Sequence, residues 1–201
     1  MQRSTLARVA VFGLAFALAV AATAQTMPQP QGPAQPAATP KPRLSPPGTA
    51  EFKFADGKTI TVKYSRPLIR NPKTGEPRKI MGGLVPYGEV WRTGANEATS
   101  FVTTADLDVG GTKVPAGSYT LYTLPEQNGP WKLIISKKTG QWGTPYPGPE
   151  QDLARVDMKM EKTPGLLQQF TISFDQRGPN AGMMKLEWEN TSAAVDFSEA
   201  K

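Results

Sequence analysis

The chain has 201 residues, with 23 Lys and Arg against 17 Asp and Glu, and contains neither histidine nor cysteine. Without histidine there is no imidazole base, no Ser-His-Asp or Cys-His nucleophile system and no ordinary zinc or copper site, and without cysteine there are no disulfides. Of the formal +6 charge, Arg3, Arg8, Lys41 and Arg43 precede the expected folded part, leaving about +2 there, which gives no support for a nucleic-acid partner.

Arg3 and Arg8 precede an apolar run over 9–22, which ends in Ala22-Thr23-Ala24 before Gln25. A basic start, a short apolar core and a small-x-small step predict a secretory signal peptide over 1–24. About 14 apolar residues fall short of the roughly 20 that span a bilayer, so no transmembrane segment is expected after cleavage. The expected location is periplasmic or secreted. Residues 25–48 are rich in Pro, Gln, Ala and Thr and almost free of large apolar side chains. Such a stretch cannot bury enough surface to offset ordering, so it reads as a disordered spacer.

From residue 49 to 199 the apolar residues alternate, as in half-buried strands. Ile60, Val62 and Tyr64 come first, and Trp131, Leu133 and Ile135 follow the same rule. The pattern then recurs as Val156, Met158, Met160; Phe170, Ile172, Phe174; Met184, Leu186, Trp188; and Val195, Phe197. Asp56-Gly57, Gly110-Gly111 and Asn128-Gly129 fall between such runs, where a tight hairpin turn needs positive φ. A short helical turn is predicted around 150–154, after Pro149. No segment holds a helical period. The expected fold is all-β, an antiparallel β-sandwich or a jelly-roll-like barrel of eight to ten strands. A domain of about 150 residues buries roughly 70% of its unfolded surface, enough to fold without disulfides.

Candidate functional residues cluster in 82–99, GGLVPYGEVWRTGANEAT, where glycines punctuate aromatic and charged residues. Tyr87 and Trp91 offer flat rings, Arg92 a planar guanidinium for a carboxylate or phosphate, Asn96 an amide, and Glu97 a carboxylate. The structural alternative has Trp91 plugging the core while Arg92 and Glu97 pair. Arg66, at the end of the first alternating run, could add a second cation, although a charge closing a strand against solvent explains it as well. Trp142 lies between Gly140 and Pro145 in a loop, a position suited either to stacking on a ligand or to lidding a sandwich end. Asp106 and Asp108, beside Gly110-Gly111, supply too few oxygen ligands for calcium. Glu187 and Glu189 read as a solvated strand face. No phosphate loop or dinucleotide fingerprint is present, and no cofactor or metal is implied.

The run 82–99, followed in order by 114–125 (VPAGSYTLYTLP) and 138–143 (KTGQWG), closely resembles the bacterial domain of unknown function 2911 family. The likeness spans about 44–197. It implies an exported or envelope-associated bacterial protein with no assigned activity, so no catalytic residue carries over. Many members have a histidine soon after a Ser-Pro pair; here Ser45-Pro46 is followed by Pro47. Three functions then compete. The first is a non-enzymatic binding module for a small polar ligand, a glycan or an envelope partner. The second is a histidine-free hydrolase pairing Glu97 with another carboxylate. The third is a structural envelope protein.

Overall fold

The computed structural model describes residues 43–200. The expected signal peptide and all of the spacer up to residue 42 lie outside the described residues. Ten strands form two antiparallel sheets. The larger sheet holds β1 (Pro47–Lys53), β2 (Thr59–Ser65), β3 (Thr99–Thr103), β6 (Gly117–Leu124), β7 (Lys132–Ser136) and β8 (Asp152–Asp157), in that order. The smaller runs β5 (Thr112–Val114), β4 (Leu107–Val109), β10 (Ala181–Glu199), β9 (Lys159–Gly178). This is the sandwich of the two expected architectures; the sheets do not close into a barrel. Among the described residues no helix is long and apolar enough to cross a membrane.

The hairpin turns fall where the sequence put them. Asp56-Gly57 joins β1 to β2, with Gly57 at φ 91° and the Lys58 amide donating to Asp56 Oδ1 at 3.0 Å. Gly110-Gly111 joins β4 to β5. A Cβ on Gly110 would stand 2.2 Å from Val156 Cγ1, so this turn needs glycine for space as well as for its positive φ. Asp108 Oδ1 accepts from the Gly111 amide and Asp106 Oδ1 from the Ala116 amide, which assigns both carboxylates to turn stabilisation.

Three boundaries differ from expectation. β1 begins at Pro47, inside the stretch read as spacer, because the Pro47–Lys53 backbone pairs with Thr59–Ser65 regardless of side-chain composition. The helical turn covers only Pro149–Gln151, and Asp152 already opens β8. The last three alternating runs are pieces of a longer architecture, since the residues from Lys159 onward make one hairpin of 20- and 19-residue strands, while the run Val156, Met158, Met160 is split, Val156 lying in β8 of the larger sheet and Met160 in β9. Pro164-Gly165 and Glu189-Asn190 interrupt its alternation. Glu189 sits at φ 54° between two register shifts, a bulge that bends β10 where it passes Leu167. Pro164 is tolerated because β9 is an edge strand.

The alternating stripes face each other across the sandwich. Phe52 of β1 packs edge-on against Phe197 of β10 at 4.9 Å and is tilted against Phe174 of β9 at 5.9 Å. Each ring buried this way contributes about 1.5–3 kcal/mol, with a further 0.5–1.5 kcal/mol from edge-to-face pairing. Gly182 of β10 makes the approach possible: a Cβ there would lie 2.5 Å from Phe197 Cζ, 2.7 Å from Phe52 Cε2 and 3.0 Å from the Asp175 carbonyl. Gly182→Ala is therefore expected to lower stability by about 1–3 kcal/mol in urea unfolding, from overpacking. Gly178→Ala, with nothing within 4 Å, should stay within about 0.5 kcal/mol.

Candidate functional site

Residues 66–98 connect β2 to β3 without a strand of their own, yet they are anchored. Ile80 and Val85 are fully buried, and the Val85 amide donates to the Ile80 carbonyl at 2.9 Å to close a turn with Gly82 at φ 70°. Leu84, at the tip of that turn, is left exposed. Further on, the Trp91 amide donates to the Thr123 carbonyl (2.8 Å) and the Thr123 amide to the Trp91 carbonyl (2.9 Å). Trp91 thus pairs with β6 just beyond the reach of β3. Its ring is buried, stacked on Trp188 of β10 at 6.1 Å and 20° and edge-on to Phe170 of β9 at 5.0 Å.

The chain then bends sharply. Thr93 has φ 54° and Asn96 φ 58°. Asparagine tolerates that region; a β-branched threonine is a genuine outlier there, costing about 1–3 kcal/mol, and such strain concentrates at functional sites. Surrounding bonds hold it. Thr99 Oγ1 donates to the Thr93 carbonyl at 2.8 Å, and Asn96 Nδ2 donates to Ser65 Oγ at 3.2 Å and the Ser45 carbonyl at 3.3 Å.

This bend forms one wall of a cleft of about 300 Å³, within the size range of small-molecule sites. Trp91, Arg92, Asn96 and Trp142 line it together, with Arg78, Leu84 and Trp188. No Asp or Glu lines it. Arg92 Nη1 donates to the Asn96 carbonyl at 2.9 Å, and its stem lies so close to Gly143 that a Cβ there would stand 2.5 Å from Arg92 Cδ. Among the described residues Arg92 has no carboxylate partner, and its Nε and Nη2 make no hydrogen bond. Arg78 is engaged differently, donating through Nε to the Ile69 carbonyl at 3.3 Å and through Nη2 to that of Leu68. Trp142 is 57% exposed, while Trp188 is 1% exposed and its indole Nε1–H has no partner among the described residues. A buried donor left unmade costs about 1–3 kcal/mol.

The seven sequence candidates therefore divide. Four share the cleft. Glu97 instead pairs with Arg43 at 2.7 Å, so the Arg92–Glu97 pair of the structural alternative is not formed, and it lines a neighbouring cleft with Lys63 and Tyr64 but no second acid. Tyr87 lies over Gly82 and lines a different cleft with Trp131, Glu161 and Lys162. Arg66 bridges the sheets: Nε donates to the Phe170 carbonyl at 3.3 Å and Nη2 to Thr171 Oγ1 at 3.1 Å. Sequence reading missed Trp188, whose place in an alternating stripe marked it only as core, and Leu84, whose signal was an apolar residue among glycines. Arg78 carried no signal.

The loop bearing Trp142 docks on the same bend. The Ala98 amide donates to the Gln141 carbonyl and the Gly143 amide to that of Asn96, both at 3.4 Å. Its far side is held by Tyr146, whose hydroxyl donates to Asp152 Oδ1 at 2.6 Å and accepts from Arg155 Nη2 at 2.9 Å. Burial, aided by the Asp152 carboxylate, pushes the Tyr146 phenol up to about 12.

The family model described as protein of unknown function (DUF2911) matches residues 45–197. No curated protein and no solved structure matches the chain. Among the described residues no group of three or more acidic side chains is placed to hold a metal ion.

Two predictions follow from this geometry. Below pH 10 the Tyr146 proton is kept in both folded and unfolded chains; between about 10 and 12 the unfolded chain loses it first, so stability falls across that window. Tyr146→Phe should shrink that alkaline fall, measured as urea midpoints at several pH values. Because the Arg43–Glu97 pair is exposed on both sides, Glu97→Gln should change stability by no more than about 1 kcal/mol in the same assay.

Proposed function

The chain belongs to the DUF2911 family, and we propose that its domain is a non-enzymatic binding module for a small polar ligand, held in the cleft beside Arg92. The observation that carries this reading is an arginine with unspent donors lining an acid-free cleft together with a solvent-facing tryptophan. A guanidinium of this kind suits planar, two-point contact with a ligand oxygen pair. The strained bend at Thr93 and Asn96 supports the same place in the molecule.

The hydrolase alternative has less support. Paired-carboxylate chemistry needs a second acid near Glu97, and the cleft that Glu97 lines offers Arg43, Lys63 and Tyr64 instead. A purely structural envelope protein would not require strain and an unpaired cation at one cleft. A glycan or an envelope partner remains within the binding reading, since Trp142 presents a flat apolar face.

We further propose that the protein is exported, on the strength of the basic and apolar start and Ala22-Thr23-Ala24. Cleavage would place Gln25 at the mature N-terminus. Terminal sequencing of the protein recovered from a periplasmic extract or the medium should begin there; an N-terminus at Met1 would overturn the proposal.

Thermal-shift screening of the purified protein against sugars, nucleotides and organic acids tests the binding reading. A true ligand at 100 times its Kd should stabilise by about 2.7 kcal/mol. Arg92→Gln should abolish most of that shift. A ligand whose shift survives Arg92→Gln, or a complete screen with no shift, would remove the reading.

A further inference from the structure

Resting on that binding reading, we infer that the ligand is a small planar aromatic acid, its ring lodged among tryptophans and its anionic group on Arg92. Both charged residues that line the cleft are arginines, and no carboxylate is present to receive hydroxyl protons. The unspent edge of the cleft's arginine points the same way: Arg92 Nη1 donates to the Asn96 carbonyl, and Nε and Nη2 make no hydrogen bond among the described residues. Two donors on one edge ask for a ligand that presents paired acceptors. A neutral sugar, which presents a donor with every hydroxyl, fits less well than a carboxylate, which only accepts.

The two arginines differ in how far their donors are already engaged. Arg78 already gives Nε and Nη2 to the carbonyls of Ile69 and Leu68, so its charge adds to the field while its fork is largely spent. Arg92 spends only Nη1, on the Asn96 carbonyl, and its stem is fixed against Gly143. The Nε and Nη2 edge left over is the one that binds a carboxylate with two parallel hydrogen bonds.

The apolar part follows from the walls. Trp91, Trp142 and Trp188 all line the cleft, joined by Leu84, Pro67 and Ala95. Trp91 and Trp188 are locked in a stack within the core, whereas Trp142 is largely exposed and free to cover a ring. Flat aromatic surfaces prefer offset-stacked or edge-on aromatic partners. The cleft's volume of about 300 Å³ admits one or two fused rings.

Isothermal titration of the purified full chain with 2-naphthoate, 2-naphthamide, acetate and glucose separates these contributions. Naphthoate should bind at least tenfold more tightly than naphthamide, which lacks the charge, and than acetate, which lacks the ring. Arg92→Gln should weaken naphthoate at least tenfold, to the level of naphthamide, and leave naphthamide unchanged. Trp142→Ala should weaken naphthoate and naphthamide by the same factor. Equal affinity for naphthoate and acetate, or for naphthoate and naphthamide, would overturn the inference. Should glucose or another non-aromatic compound bind in an Arg92-dependent way while naphthoate does not, the aromatic acid is wrong and the binding module stands. If nothing binds in either experiment, both fall.

Discussion

The stack of Trp91 on Trp188 is the contact on which the candidate site depends. Trp188 belongs to the inward stripe of β10, so its position is set by the sandwich core. Trp91 belongs to a long connection that has no strand of its own. Joining them, at 6.1 Å and nearly parallel, ties 66–98 to the smaller sheet, while the backbone pairing of Trp91 with Thr123 ties it to the larger one. A loop fastened to both sheets can present side chains as precisely as a strand can, and Arg92 is the next residue along. Rigid core and cleft wall thus share two indoles, which is why burial of Trp91 is compatible with its place in the candidate site.

The same double duty explains what the sequence disclosed and what it hid. Alternation and the Asp-Gly, Gly-Gly and Asn-Gly turns made the sheets legible, because the period of a strand and the positive φ of a hairpin turn are local properties. The continuity of β9 and β10 was not legible, since Pro164-Gly165 and Asn190 carry the same chemistry whether they end a strand or bulge it. Partner choice was hidden as well. Arg92 and Glu97 are near neighbours in sequence, yet Glu97 is drawn to Arg43, 54 residues away, and Arg92 to a backbone carbonyl. Tyr87 shares the informative run with Trp91 but leaves it at Gly88, whose amide donates to the Pro125 carbonyl and commits that stretch to another face.

Trp188 is the most instructive omission. As one member of Met184, Leu186, Trp188, it satisfied a core pattern completely, and nothing in a period of two distinguishes a core residue at a sheet's middle from one at a cleft's floor. What distinguishes it is the indole nitrogen. Leucine and methionine in the same stripe bury nothing that needs a partner, whereas tryptophan brings a donor that the described residues leave unanswered. An unanswered donor in the core calls for a physical explanation, and it is visible only once the fold is known.

The strained bend completes the argument for preorganisation. Thr93 and Asn96 both hold positive φ, a conformation that asparagine tolerates but that costs the β-branched threonine about 1–3 kcal/mol, which the contacts of Thr99, Ser65 and Ser45 must offset. Those φ angles set the course of the chain from Arg92 to Asn96, whose carbonyl receives Arg92 Nη1. The guanidinium is thereby fixed on one side by that carbonyl and along its stem by Gly143, with its remaining edge unspent. A flexible arginine loses rotamer freedom when a ligand orders it; one already ordered by folding does not, and the difference appears as affinity. Strain that is maintained by the folded domain, in a loop fastened to both sheets, places that cost in folding rather than in binding.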